Sequence, residues 1–247
     1  MKKKNQSKKS NSLTKEDLLA LLKSSKEEWN NFIKNNPNAI IDLSGADLYR
    51  INLSGYNLRN VNLSGAILSS ANLEQANLQN VNLENAYLDC ANLEKSILTY
   101  SNLSGTNIEY SNLKEADLSN STIKGAIFSY ADLREANLNQ TDLKGCYFME
   151  AKLTRASFIK ANLTNANLIN SNLKRANLSQ ACLENADLTD ANLIYGNLSG
   201  AFLKNANLEN ADLDSANLQN ANLENVNLKS TDLQDTNLEG AIMPKDY

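Results

Sequence analysis

The chain has 247 residues, with 24 Lys and Arg against 28 Asp and Glu for a net charge of -4; 42% of it is hydrophobic and 21% charged. That is the composition of a folded, soluble chain of one or two domains, and no apolar run approaches the roughly 18 residues of a spanning helix, so no membrane insertion is expected. Histidine is absent, which excludes imidazole triads, Cys-His pairs and His-ligated zinc.

Residues 1–12 (MKKKNQSKKSNS) are polar and Lys-rich and lack the apolar core of a signal peptide. They read as a disordered basic tail, with an electrostatic arm for nucleic acid or acidic lipid as the alternative. Residues 13–40 read as a helical N-terminal cap. Leu13 is a staple, Thr14 an N-cap and Asp17 its capping-box partner, ahead of Leu18, Leu19, Leu21 and Leu22. Ser24 and Ser25 before Lys26-Glu27-Glu28 form a second start signal, Trp29, Phe32 and Ile33 an apolar stripe, and Asn35-Asn36-Pro37 a stop.

From Ile41 to Lys245 the chain is 41 consecutive pentapeptides without a slip. The third position is Leu in 35 of them and otherwise Ile108, Ile123, Phe128, Phe148, Phe158 or Met243. The first position is small, with Ala in 24 repeats, and the second is Asn or Asp in 30. A strand cannot use a period of five, because its side chains alternate. A helix would smear Leu around its axis, in steps of about 140°. A chain that turns once per repeat keeps every Leu inward. Eight of the nine glycines sit at the fifth position, where a tight turn needs positive φ. Pro37 and Pro244 bracket the array, as expected if its N–H groups pair between coils.

The exceptions count the repeats per coil. Ile67, Tyr87, Ile127 and Tyr147 intrude at the second position at separations divisible by 20, Phe128 and Phe148 lie 20 apart, and so do Tyr110 and Tyr130. Four repeats therefore make a coil, and 41 repeats give about ten coils at the ~4.8 Å spacing of paired strands. The inward core is typified by Leu43, Leu133, Phe128, Phe148 and Phe158.

The A-(N/D)-L-x-x array resembles the pentapeptide repeat family. The resemblance covers Ile41 to Lys245 and implies an all-β solenoid over 41–247, a right-handed quadrilateral parallel β-helix with the short helical cap. It also implies that positions two, four and five face solvent. The lead-in LLALLKSSKEEWNNFIKNNPNAIIDLSGADL resembles that of many bacterial members, and GAIMPKDY resembles their terminator. Solenoid ends need covering. Little follows Pro244, so a homodimer through the C-terminal coil is a further expectation.

Two outward clusters stand out. Ile67, Tyr87, Tyr110, Ile127, Tyr130, Tyr147, Met149 and Ile169 map to one face, as either a protein interface or cross-strand packing. Glu184, Asp187, Asp190, Asp212, Asp214, Asp232 and Asp235, with Glu209, make the late coils acidic. Stacked carboxylates at Asp212, Asp214, Asp232 and Asp235 raise calcium binding, but Asp is the routine alternative to Asn in this motif and no pocket is foreshadowed. No cofactor and no metal is expected. Cys146 falls at an inward position; Cys90 and Cys182 are outward, with no CxxC pair, which fits a reducing, cytoplasmic setting.

The resulting expectation is a non-enzymatic protein-binding or scaffold module working through flat faces, its partner a protein of unknown identity. The array is not expected to bind nucleic acid. The alternative is a DNA mimic that binds a DNA-handling enzyme such as DNA gyrase, with the late acids as phosphates; the family resemblance supplies that idea. An enzyme acting on an acidic polysaccharide and an ice-binding face are the weaker readings.

Overall fold

The computed structural model describes residues 13–245, and the expected tail at 1–12 lies outside them. Two helices open the chain, α1 (Lys15–Ser24) and α2 (Lys26–Asn35). Thr14 and Asp17 close a full capping box: the Thr14 hydroxyl accepts from the Asp17 N–H at 3.2 Å, and the Asp17 carboxylate accepts from the Thr14 N–H at 3.0 Å. The Thr14 backbone donor, followed by its hydroxyl, holds the Asp17 carboxyl below its ordinary range. Ser25 caps α2 by accepting from the Glu28 N–H at 3.1 Å. Both caps fall where the sequence places them.

Beyond Ile41 the chain winds as a solenoid. Ile41–Asp42 pairs in parallel with Val61–Asn62. The bridges that follow join a second-position residue to the one 20 residues later, from Asp47 with Ile67 to Asn222 with Ile242. One coil is therefore four repeats. Taken around the coil, the repeats that begin at 41, 46, 51 and 56 start its first, second, third and fourth faces. Each face is a ladder of one repeat per row.

Leucine is sealed in the axis. Third-position side chains from Leu43 to Leu223 are 1% exposed or less. Phe128 stacks on Phe148 with centroids 5.0 Å apart, and Phe158 meets Phe148 edge-on at 6.2 Å. Small first-position residues fill the space between the Leu columns. In the last coil Leu228, Leu233, Leu238 and Met243 are only partly buried, packed from one side.

The repeat satisfies its own backbone, and this explains the consensus. The second-position N–H donates to the coil before (Ile67 N–H to Ala46 C=O, 2.9 Å), the third to the coil after (Leu48 N–H to Ile67 C=O, 2.8 Å) and the fifth likewise (Arg50 N–H to Ser69 C=O, 3.1 Å). The first-position N–H closes the turn onto the preceding Leu carbonyl, as Ala46 does on Leu43 at 3.0 Å. That leaves the fourth N–H without a backbone partner. The second-position Asn or Asp supplies it: Asn52 Oδ1 accepts from the Ser54 N–H at 3.1 Å. The same turn bond, from Ser44 to Asp42, is the first cause that lowers the Asp42 carboxyl pKa. Where the Asx residue is missing at Ser157, Asn139 of the coil below accepts the Ile159 N–H instead, at 2.8 Å.

Asn also ties the coils together. Asn82 Nδ2 donates to Asn62 Oδ1 at 3.2 Å, and Asn102 Nδ2 to Asn82 Oδ1 at 3.3 Å. Asp accepts in such a column but cannot donate. It can start one, as Asp42 does for Asn62.

The fifth position is left-handed throughout. Its φ is positive in every repeat from Gly45 to Gly240, in Glu, Lys and Tyr as well as Gly and Asn. Fifth place in the repeat is the third residue of the turn, where type II geometry demands positive φ. The sequence marks this site only through its excess of Gly and Asn.

The cap stands in for a missing coil. The Asn57 N–H, which has no earlier coil to donate to, donates to Asn30 Oδ1 at 2.7 Å, and the Asn57 carbonyl accepts from Trp29 Nε1 at 2.7 Å. Lys15 Nζ donates to the Ser44 carbonyl. Trp29 is fully buried over the open end of the leucine column.

Two substitutions test this account. Leu133→Asp buries an unpaired carboxylate and should cost at least about 4 kcal/mol, seen as a collapse of the urea midpoint; a native-like midpoint would contradict an inward Leu133. Gly65→Ala adds a Cβ with nothing within 4 Å at φ +62. Only the left-handed backbone then resists it, and denaturation should show a loss of about 1 kcal/mol; no loss would mean the turn is not strained.

Candidate functional site

The second face gathers the predicted strip. Tyr87, Tyr110 and Tyr147 are about half exposed, at 52%, 60% and 49%; Ile67 and Tyr130 are exposed too. Ile127, Met149 and Ile169 are half-buried. All eight point outward on one face. Tyr110 and Tyr130 stack with centroids 4.9 Å apart and planes 2° from parallel. They do so because both occupy the fifth position in successive rows, where the shared backbone geometry aims their rings alike. Ile67 bridges Tyr87, and Ile127 bridges Tyr147, with Asn107 between the two pairs. The Glu150 carboxylate is the first cause raising the Tyr130 phenol, which stays neutral at physiological pH.

Tyr49 extends the strip by one row and was not singled out by sequence reasoning. It is 52% exposed at the fourth position, with the Arg50 guanidinium 5.0 Å from its ring centroid. Its signal was the same as the others: an aromatic where the repeat carries Ser, Glu or Lys. Other exposed apolar residues lie elsewhere, Ile97 and Tyr100 on the fourth face, Tyr195 on the third, and Phe202 and Ile242 on the first.

The late acids are not one surface. Glu184 lies on the first face, Asp187 and Asp190 on the second, and Asp212, Asp214, Asp232 and Asp235 on the third. Several are committed to the fold. Asp187 accepts from the Thr189 N–H at 3.1 Å, Asp212 from the Asp214 N–H at 3.1 Å, and Asp232 from the Gln234 N–H at 2.9 Å. Glu209 pairs with Lys229 at 2.8 Å, and that side chain first lowers its carboxyl pKa. Among the described residues no group of three or more His, Cys, Asp or Glu is placed to hold a metal ion, and no helix is long and apolar enough to cross a membrane.

The cysteines are free and separate. Cys146 is buried, its Sγ donating to the Ile123 carbonyl at 2.8 Å. Burial pushes its thiol up to about 12. Cys90 is exposed, and Cys182 lies half-buried with Sγ 3.2 Å from Thr164 Oγ1.

An outward-facing shell of polar ladders around a leucine axis, closed at one end by two helices, defines a β-helical solenoid. A family model described as pentapeptide repeats matches in eight copies across residues 41–243. The chain belongs to the pentapeptide repeat family. Its fold is the right-handed quadrilateral β-helix of these proteins. It is similar to HetL, a pentapeptide repeat protein involved in heterocyst differentiation regulation from the cyanobacterium Nostoc sp. strain PCC 7120, at 31% identity over 87% of this chain and 97% of that one, with a TM-score of 0.63. It also resembles QnrB1, a plasmid-mediated fluoroquinolone resistance protein, at 19% identity over 84% of this chain and 93% of that one, with a TM-score of 0.41. No match to a curated protein was found.

Thiol chemistry tests the inward and outward assignments. At about pH 8 a thiol reagent should modify Cys90 rapidly, Cys182 slowly, and Cys146 only after denaturation. Native-state modification of Cys146 would put it at the surface.

Proposed function

We propose that the protein is a non-enzymatic binding module that presents its second face to a protein partner in a reducing compartment such as the cytoplasm. The observation that carries the reading is the strip from Tyr49 to Ile169. Half-exposed aromatic and branched side chains recur there in row after row, on a surface whose repeat otherwise prefers Asn, Ser and Glu. Rigid aromatics on a flat sheet bind protein surfaces at low entropic cost. Cross-strand packing accounts for the Tyr110–Tyr130 stack. It accounts only in part for Tyr87 and Tyr147, each of which has an Ile on one side along the ladder (Ile67, Ile127) and an Asn on the other (Asn107, Asn167), and which stay about half exposed.

The likeness to HetL, a protein involved in the regulation of differentiation, supports a regulatory role. The DNA-mimic alternative needs a continuous acidic track. Here the acids divide over three faces, and several are tied into turns, so the strip is the stronger basis.

The test is a comparison of variants in affinity capture from the native cell. Tyr130→Ala with Tyr147→Ala should keep the circular dichroism spectrum and lose the partner, while Tyr100→Ala on the opposite face should retain it. Equal recovery by the unaltered chain and both variants would remove the second face as the contact.

A further inference from the structure

We propose that the third face is self-complementary, and that two copies of this chain associate through it side by side and antiparallel. The proposal concerns a face and a partner distinct from those of the protein-binding strip.

From the Lys152 row to the Asp232 row, the third face segregates charge by sign. One pair of rows carries Lys152, Arg155, Lys174 and Arg175. The row above them holds Asn192, Ile194 and Tyr195. The next two rows carry Asp212, Asp214, Asp232 and Asp235. Elsewhere on the rod, opposite charges in adjacent rows neutralise each other: Lys204 meets Glu224 at 3.0 Å, Lys229 meets Glu209 at 2.8 Å and Lys124 meets Asp142 at 3.0 Å. The early rows of the third face do the same, Lys95 reaching Glu115 at 3.9 Å and Arg155 reaching Glu135 of the row before it at 3.7 Å, but from the Lys152 row onward like sits on like. Among the described residues, Lys152, Lys174, Asp214, Asp232 and Asp235 have no ion-pair partner.

Two places on this face also interrupt the amide ladder. Lys152 occupies an Asx position in the ladder between Asp132 and Asn172 and can accept no turn N–H. Asp212 bridges directly to Asp232. Neither carboxylate can donate to the other, so the amide ladder is replaced by like-charge contact. The Asp212–Asp232 contact weakens the isolated rod, whereas Lys152 forgoes a turn acceptor but stands beside the Asp132 carboxylate.

Their positions are symmetric. Lys152 and Asp232 lie two rows either side of Asn192. Arg155 and Asp235 lie two rows either side of Tyr195, and Lys174 and Asp214 one row either side of Ile194. A two-fold axis lying in the face, across the Asn192 row, reverses the order of the rows and keeps each residue at its lateral position. It sets Lys152 against the second copy's Asp232, Arg155 against its Asp235 and Lys174 against its Asp214, each pair occurring twice. Ile194 and Tyr195 meet their own counterparts at the centre. Tyr195 is 52% exposed and the Arg175 guanidinium lies 5.5 Å from its ring centroid, a flat stacked surface for that self-contact. Parallel stacking of the rods would instead oppose like charges.

Five rows span roughly 20 Å. The contact is therefore below standard interface size, and the association is weak and salt-sensitive.

Sedimentation of the full chain at about 0.5 mM in about 20 mM salt should show a reversible dimer, weakened about tenfold or more in about 0.5 M salt. Lys152→Glu and Asp232→Lys should each weaken it about tenfold or more with an unchanged circular dichroism spectrum, because one reversal replaces two attractions by two repulsions. The two reversals combined in one chain should restore the dimer. A monomer at every salt concentration would overturn the proposal, as would a double variant no tighter than the singles. So would a dimer that ignores both reversals and is lost on Leu233→Lys, which would place the contact on the C-terminal coil.

Discussion

Everything in this molecule depends on one backbone state, the left-handed residue that closes each pentapeptide. It turns the chain often enough to keep Leu inside and to bring a second-position residue beside its equivalent one coil later. The conformation is costly for any residue with a Cβ. It persists at Glu115, Lys160 and Tyr195 because each turn is held on both sides, by hydrogen bonds to the next coil and by the Leu that follows. No single repeat would hold it alone, and this is why stability in such rods belongs to the stack.

The same accounting sorts the surface into two kinds of position. The second position is partly spent on structure, since its Asn or Asp satisfies the fourth N–H and builds the ladder. The fourth and fifth positions, apart from substitutes such as Asn139, carry side chains the fold does not need. An aromatic at the fifth position therefore says more about surface than about stability, and a Lys at the second position says more than a Lys at the fourth. Where the repeat is disobeyed at some cost, as at Tyr87, Tyr147 and Lys152, selection for something other than the fold is the simplest physical account.

Much of the architecture was legible in the sequence. The five-residue period excluded strands and helices, and the spacing of Ile67 from Tyr87 and of Phe128 from Phe148 gave four repeats per coil. Thr14 and Ser25 announced both helices. What was not legible depends on contacts between distant segments. Nothing local marks Asn30 and Trp29 as the donors and acceptors that complete the first coil at Asn57. Tyr49 was missed because a single aromatic at a tolerant position carries no period of its own. The acids looked like one group because they cluster along the chain, whereas a four-sided coil deals consecutive repeats to different sides.

The paired phenylalanines have a meaning beyond packing. In a perfectly regular array, a coil displaced by one pentapeptide would again find Leu above Leu and Asn above Asn, so the misthreaded chain would be almost as stable as the correct one. Phe128 over Phe148, with Phe158 set against it edge-on, breaks that degeneracy, because displacement would strand each ring among aliphatic neighbours shaped for Leu. The irregular residues of the core thus act as alignment marks for winding, and a homogenised consensus version of this rod would be expected to thread less faithfully than the natural one.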